Sequence, residues 1–138
     1  VLIKWLKDVK ITLRTETAKP TSNVKQLEAS SYGDPVDMEH LSQYFSDDEE
    51  RSMIIEMFLR VSDESLAVLS ANAGDGANDA WKNAAHKLKG SAANFGANYL
   101  KECCAQAEML SDASSMDKAQ LLHMIQQAYE SVKNFLAV

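Results

Sequence analysis

The sequence predicts an all-α protein: an antiparallel up-down-up-down four-helix bundle with a short additional N-terminal helix. Apolar residues recur at three- and four-residue spacing through four successive segments, helix stops separate those segments, and no alternating strand pattern competes. With 138 residues, 46% of them hydrophobic, one core is large enough to hold without disulfide or metal staples.

Asp34-Pro35 has the form of an N-cap followed by proline at the first helical position, and predicts a short helix through Phe45. Ser46-x-x-Glu49 has the spacing of a capping box and opens a long helix that runs to Asn72, before Gly74. Its expected seam is Ile54/Ile55, Phe58, Val61, Ser65/Leu66 and Leu69. A third helix, from near Asn78 to Phe95, carries Trp81, Ala85, Leu88, Ala92 and Phe95 on one face. Gly96 ends it, and the tight Gly96-Ala97-Asn98 connection predicts an antiparallel return along Leu100, Cys103/Cys104, Ala107 and Leu110. After a polar turn, Leu121/Leu122, Ile125, Ala128/Tyr129, Val132 and Phe135/Leu136 give the last helix. Residues 1–34 read as an extension or linker before a bundle of residues 35–138. Thr12 to Gly33 is polar and without period, while Val1 to Leu13 fits helix spacing and strand alternation equally.

Composition excludes several classes. No apolar run is long enough to span a membrane, and Lys4, Lys7, Asp8 and Lys10 interrupt any signal-peptide core, so the expected location is cytoplasmic or the cytoplasmic module of a membrane sensor. A formal net charge of −6 without a basic stripe argues against nucleic acid. The adjacent Cys103 and Cys104 suit neither a zinc hook nor an ordinary disulfide, and are expected to be reduced, one more buried than the other. No metal site is expected, since His40 and His123 lack a second ligand one turn away. A monomer is expected.

The third helix has a second face. At 100° per residue His86, Lys89, Gly90 and Ala93 are neighbours, off the apolar seam. A glycine within an exposed helix costs roughly 1 kcal/mol against alanine, so Gly90 points to something that must approach the backbone closely. Lys82, Lys87 and Lys89 put local positive charge around His86 on an acidic chain, which suits a phosphoryl group; the solvated-face reading stands beside this one for Lys82 and Lys87.

His86-x-x-Lys89-Gly90-Ser91, preceded by Ala84-Ala85 and followed by Asn94-Phe95-Gly96-Ala97, resembles the signature of histidine-containing phosphotransfer (HPt) domains of multistep phosphorelays, a resemblance that extends from near Val36 to the end. It implies a phosphocarrier whose His86 accepts a phosphoryl group from a receiver-domain aspartate and passes it to another receiver, with family positions carried over to Lys89, Gly90 and the small Ser91. It also implies partners that are response-regulator receiver domains, with a hybrid sensor histidine kinase in the same chain as the parent suggested by a start at Val1 rather than methionine.

An exposed imidazole, with an ordinary pKa near 6.5, is a competent nucleophile at neutral pH, and Nε2 at its tip is the expected attacking atom. The sequence has no P-loop, no kinase-like glycine-rich loop and no evident magnesium pocket, so it is expected to need no cofactor of its own, to be no autokinase, and to rely on Mg²⁺ supplied by the receiver. Met53 and Met57, off the core seam, with Tyr44 and Phe45 on the short helix, are candidates for an apolar docking patch; the methionines fit the edge of the core equally well. The alternative from another class is a non-phosphorylated helical adaptor.

Overall fold

The computed structural model describes residues 24–136. It contains α1 (Met38–Leu41), α2 (Asp48–Ala71), α3 (Asp79–Phe95), α4 (Asn98–Met109) and α5 (Ser115–Leu136), with short 3-10 turns at Ala29–Tyr32 and Ser42–Tyr44. No strand occurs among the described residues. α3 packs against both α2 and α4, α4 packs on α5, and α5 returns to α2. The all-α up-down-up-down bundle follows, with α1 set against the C-terminal end of α3. None of the described helices is long and apolar enough to cross a membrane.

The expected seam of α3 is the observed one: Trp81, Ala85, Leu88, Ala92 and Phe95 are all buried. Trp81 donates its indole N–H to the Ala107 carbonyl at 2.8 Å, and Phe95 stacks on Phe58 of α2 with ring centroids 4.1 Å apart. Tyr129 of α5 also meets the Phe58 ring, edge-on at 6.3 Å, and donates its hydroxyl to Asp63 Oδ1 at 2.8 Å. The helix α3 is thus the central element, gripped from two sides.

Local signals are displaced in three places. The short helix begins at Met38 with Asp37 as its cap, because Val36 is drawn into the core and residues 34–36 bend; the chain then tightens to a 3-10 turn and is extended at Phe45. The capping pair of α2 lies one residue later than Ser46/Glu49: Asp47 Oδ1 accepts from the Glu50 N–H, and Glu50 reaches back to the Ser46 N–H and hydroxyl, each at 2.8 Å. Those bonds, the Ser46 N–H first, hold the Glu50 carboxyl below the usual range. In α2 the buried positions are Phe58, Ser62, Ser65 and Leu69, so Ile54 and Val61 turn toward the edge of the helix pair and are only half-buried.

Cys103 and Cys104 are free and both shielded from solvent on the inner face of α4, and Cys104 is the more deeply buried of the two, as expected. Burial raises both thiols, that of Cys103 to about 11, so neither is a reactive thiolate at neutral pH. Residues 24–34 lie against α4: Lys25 and Gln106 exchange backbone-to-amide hydrogen bonds, Tyr99 donates to the Leu27 carbonyl, and the Tyr32 and Tyr99 rings touch. The helix-or-strand alternative for Val1 to Leu13, and the part of the linker reading that precedes residue 24, lie outside the described residues.

The sequence pattern did not announce Lys118, which is fully buried at the start of α5. Its ammonium donates to the Gly74 carbonyl at 2.9 Å and the Gly76 carbonyl at 2.6 Å, and lies 5.5 Å from the centre of the Trp81 ring. Asp75 between those glycines accepts from the Ser115 N–H; that bond is the main cause, and Lys118 a lesser one, of its lowered carboxyl pKa. The α2–α3 loop is therefore fastened to α5 by a charge that cannot reach bulk water. Lys118→Met keeps the apolar stem and removes both charge-assisted hydrogen bonds that fasten the loop. It is expected to lower stability by about 2–4 kcal/mol. Urea unfolding measures this, and a loss under about 0.5 kcal/mol contradicts the clamp.

Candidate functional site

Asn78 caps α3 by accepting from the Trp81 N–H at 2.8 Å, and Gly96 ends the helix at φ 84°. Gly96 is required twice over: its backbone is left-handed, and a Cβ would stand 3.0 Å from the Asp37 carbonyl oxygen. The Ala97 N–H returns to the Ala92 carbonyl, and the Asp37 N–H donates to the Gly96 carbonyl at 2.8 Å. His40 of α1 donates Nε2–H to the Asn94 carbonyl at 3.1 Å, which anchors the short helix on the end of α3.

With the seam buried, the opposite face of α3 is turned outward. The His86 side chain is 68% exposed. Lys82, Lys87 and Gly90 are exposed, and Lys89 and Ala93 half-buried. A Cβ on Gly90 would meet nothing within 4 Å, so no internal packing demands glycine there. The face that helical spacing predicts from His86, Lys89, Gly90 and Ala93 is assembled.

Glu108, on α4, is the polar partner that the sequence reading missed. Its Oε2 lies 2.8 Å from His86 Nδ1 and its Oε1 2.6 Å from Lys89 Nζ. An ionised carboxylate only accepts, so the shared proton resides on Nδ1. In the neutral ring the lone pair is then on Nε2, which has no hydrogen-bond partner among the described residues. The Lys89 hydrogen bond is the largest cause holding the Glu108 carboxyl below its ordinary range, burial opposes it, and the His86 bond adds to the lowering. Lys89, read as a free cation for a phosphoryl group, is in this state paired with Glu108. A signal existed: His86 lies eleven residues before Ala97 and Glu108 eleven after it, so an antiparallel hairpin turning there sets them side by side.

Beyond Gly90 an open apolar groove of about 480 Å³ lies between α2 and α3, lined by Tyr44, Ile54, Met57, Val61, Ser91 and Asn94 among others. Ser91 and Asn94 lie about 7 and 12 Å along the axis from His86. Tyr44 and Met57 are thus gathered at one place, both more than half exposed. Met53 is exposed but does not line this groove, and Phe45 packs against the core. After Tyr44 the backbone is extended at Phe45, whose side chain is half-buried.

Fold and site define a helical bundle of the histidine phosphotransfer class. The model of the Hpt domain family matches residues 53–135, more than half of the chain, and the chain belongs to that family. No curated protein and no solved structure shows significant similarity to it. Hpt domains work in phosphorelays with receiver domains, which gives this chain the general role of histidine phosphotransfer.

The open surroundings of Gly90 set a test of why glycine stands there. Gly90→Ala is expected to raise stability by up to about 1 kcal/mol in chemical unfolding, and Gly90→Gln to leave the fold intact. Phosphotransfer by Gly90→Gln from a receiver is expected to be much slower than by the unaltered chain. Unfolding of either variant, or wild-type transfer by Gly90→Gln, contradicts the assignment of Gly90 to partner access.

Proposed function

We propose that this chain is a phosphocarrier in which His86 takes a phosphoryl group from the aspartate of one receiver domain and gives it to the aspartate of another. The single observation that carries this reading is the exposed His86 ring with Nδ1–H tied to Glu108 and Nε2 left without a partner. Nε2 attacks phosphorus, the acyl phosphate P–O bond breaks, and its electron pair stays on the aspartate. Onward transfer runs the same exchange with the second receiver. Gly90 leaves room for the incoming loop, and Lys89 offsets charge on the moving group. Lys82 and Lys87 add weaker, solvated charge, and Ala93 keeps the face low.

The chain acts without ATP and without autokinase activity, and the Mg²⁺ of the transfer belongs to the receiver, whose aspartate it serves. Docking uses the apolar groove beside the histidine face, with Met57 and Tyr44 as adaptable contacts and Met53 at its margin. Transfer proceeds on a monomer in the cytoplasm, and the parent is either a stand-alone carrier or a hybrid kinase.

His86→Gln is expected to abolish acid-labile, alkali-stable labelling by a phosphorylated receiver while helix content and melting stay nearly unchanged, because the ring packs on nothing in the core. His40→Gln and His123→Gln are expected to retain the label. Folded wild-type protein that takes no label supports the adaptor reading instead.

Met57→Asp places a charge in the groove without touching the histidine. Receiver affinity is expected to fall about tenfold, or 1.4 kcal/mol, as for an interface residue that contributes to binding. Calorimetric titration measures it, and unchanged affinity removes the groove from the docking surface.

A further inference from the structure

In the free chain one carboxylate serves two donors, the His86 Nδ1–H and the Lys89 ammonium. Glu108 is itself largely covered, with 21% of its side chain exposed, and both oxygens are engaged. With neutral His86 the three groups carry one positive and one negative charge. Bonding Nε2 to phosphorus changes that count.

The neutral ring gives its Nε2 lone pair to phosphorus as the aspartyl P–O bond breaks and its electrons stay on the aspartate. No proton moves, because Nδ1 already holds the only one. The ring becomes an N-phosphoimidazolium with one positive charge, and the phosphoryl oxygens arrive within the reach of Lys89. The return step reverses this: the P–N bond breaks, its electron pair goes back to Nε2, and the ring is neutral again. Of the charged groups in this cluster, Glu108 alone is an anion in contact with the ring proton.

We propose that Glu108 is a positioning and charge-balancing residue that sets the phosphoryl equilibrium between His86 and its receiver, as counter-ion to the phosphorylated ring. On phosphorylation Lys89 exchanges Glu108 for the phosphoryl oxygens, and the carboxylate is left to the imidazolium, so each cation gains its own anion. The inference rests on His86 as phosphoacceptor and adds a residue on another helix that decides how much phosphate resides there. A group that merely orients the ring alters how fast the plateau is reached. A group that favours the charged ring moves the plateau itself.

Glu108→Gln keeps a carbonyl oxygen able to accept from Nδ1–H and removes the charge. Opposite charges in contact shift an ionisation by about 1–3 units, and one unit is tenfold. Partial exposure and sharing with Lys89 place this pair at the low end, so a shift of about three- to tenfold is expected.

The test uses a receiver domain charged with acetyl phosphate that labels the wild-type chain, with the plateau ratio of phosphohistidine to phosphoaspartate read at pH 7.5, above the ordinary imidazole range. Glu108→Gln is expected to lower that ratio three- to tenfold. Glu102→Gln, which makes the same change of net charge elsewhere on α4, is expected to leave it within twofold. A wild-type plateau in Glu108→Gln, or equal shifts in both variants, overturns the proposal while His86 remains the labelled residue. Absence of label in the wild-type chain overturns the phosphocarrier reading beneath it. The nitrogen spectrum of protein labelled directly with phosphoramidate provides a readout independent of any receiver. At pH 7.5 the phosphorylated ring is expected to hold more of its Nδ1 proton in the wild-type chain than in Glu108→Gln, and equal protonation counts against the proposal.

Discussion

The turn at Gly96 governs the geometry of the whole histidine face. Its left-handed backbone reverses the chain within two residues, and the carbonyl of Asp37 occupies the space a side chain would need. Because the turn is that short, the register of α4 along α3 has no slack, and Glu108 arrives opposite His86 and Lys89. The same turn offers the Gly96 carbonyl to the Asp37 N–H and leaves the Asn94 carbonyl for His40. One constraint thus orders the acid beside the imidazole and the short helix beside the groove.

The faces of α3 divide the work between folding and chemistry. Trp81, Leu88 and Phe95 are buried against neighbouring helices, and about 1.5–3 kcal/mol for each large apolar side chain holds the helix in place. His86 contributes none of that burial, so its imidazole is exposed without weakening the core. The Lys118 clamp acts at the far end, where it ties the loop before α3 to α5. Rigid support from both ends is what a carrier requires if an imidazole is to meet a phosphorus atom within a few tenths of an ångström.

Much of this was legible in the sequence because the information was local. The periodicity of α3 placed every seam residue inside and His86 outside, and Gly96 marked the stop. The short signature from His86 to Ser91 carried the family resemblance, and the family match spans it. What was not legible depended on competition between nearby alternatives or on distant partners. Asp47 and Ser46 both offer a cap to α2, and the geometry selected Asp47 one residue later. Ile54 and Val61 look like core in a helical pattern, yet Ser62 joins the expected Ser65 in the closest positions and leaves those two as walls of the groove. Lys118 and Glu108 act through residues on other elements, distant in sequence, and only tertiary structure brings those groups together.

Phosphotransfer as proposed depends on a single atom, Nε2 of His86. The most direct measurement is a phosphorus–nitrogen correlation spectrum of the nitrogen-15-labelled chain after incubation with a phosphorylated receiver. The expected result is one phosphorus nucleus coupled to Nε2 of His86, with Nδ1 still bearing its proton beside Glu108. Phosphorus coupled to Nδ1, to another histidine, or to no ring nitrogen at all would contradict it.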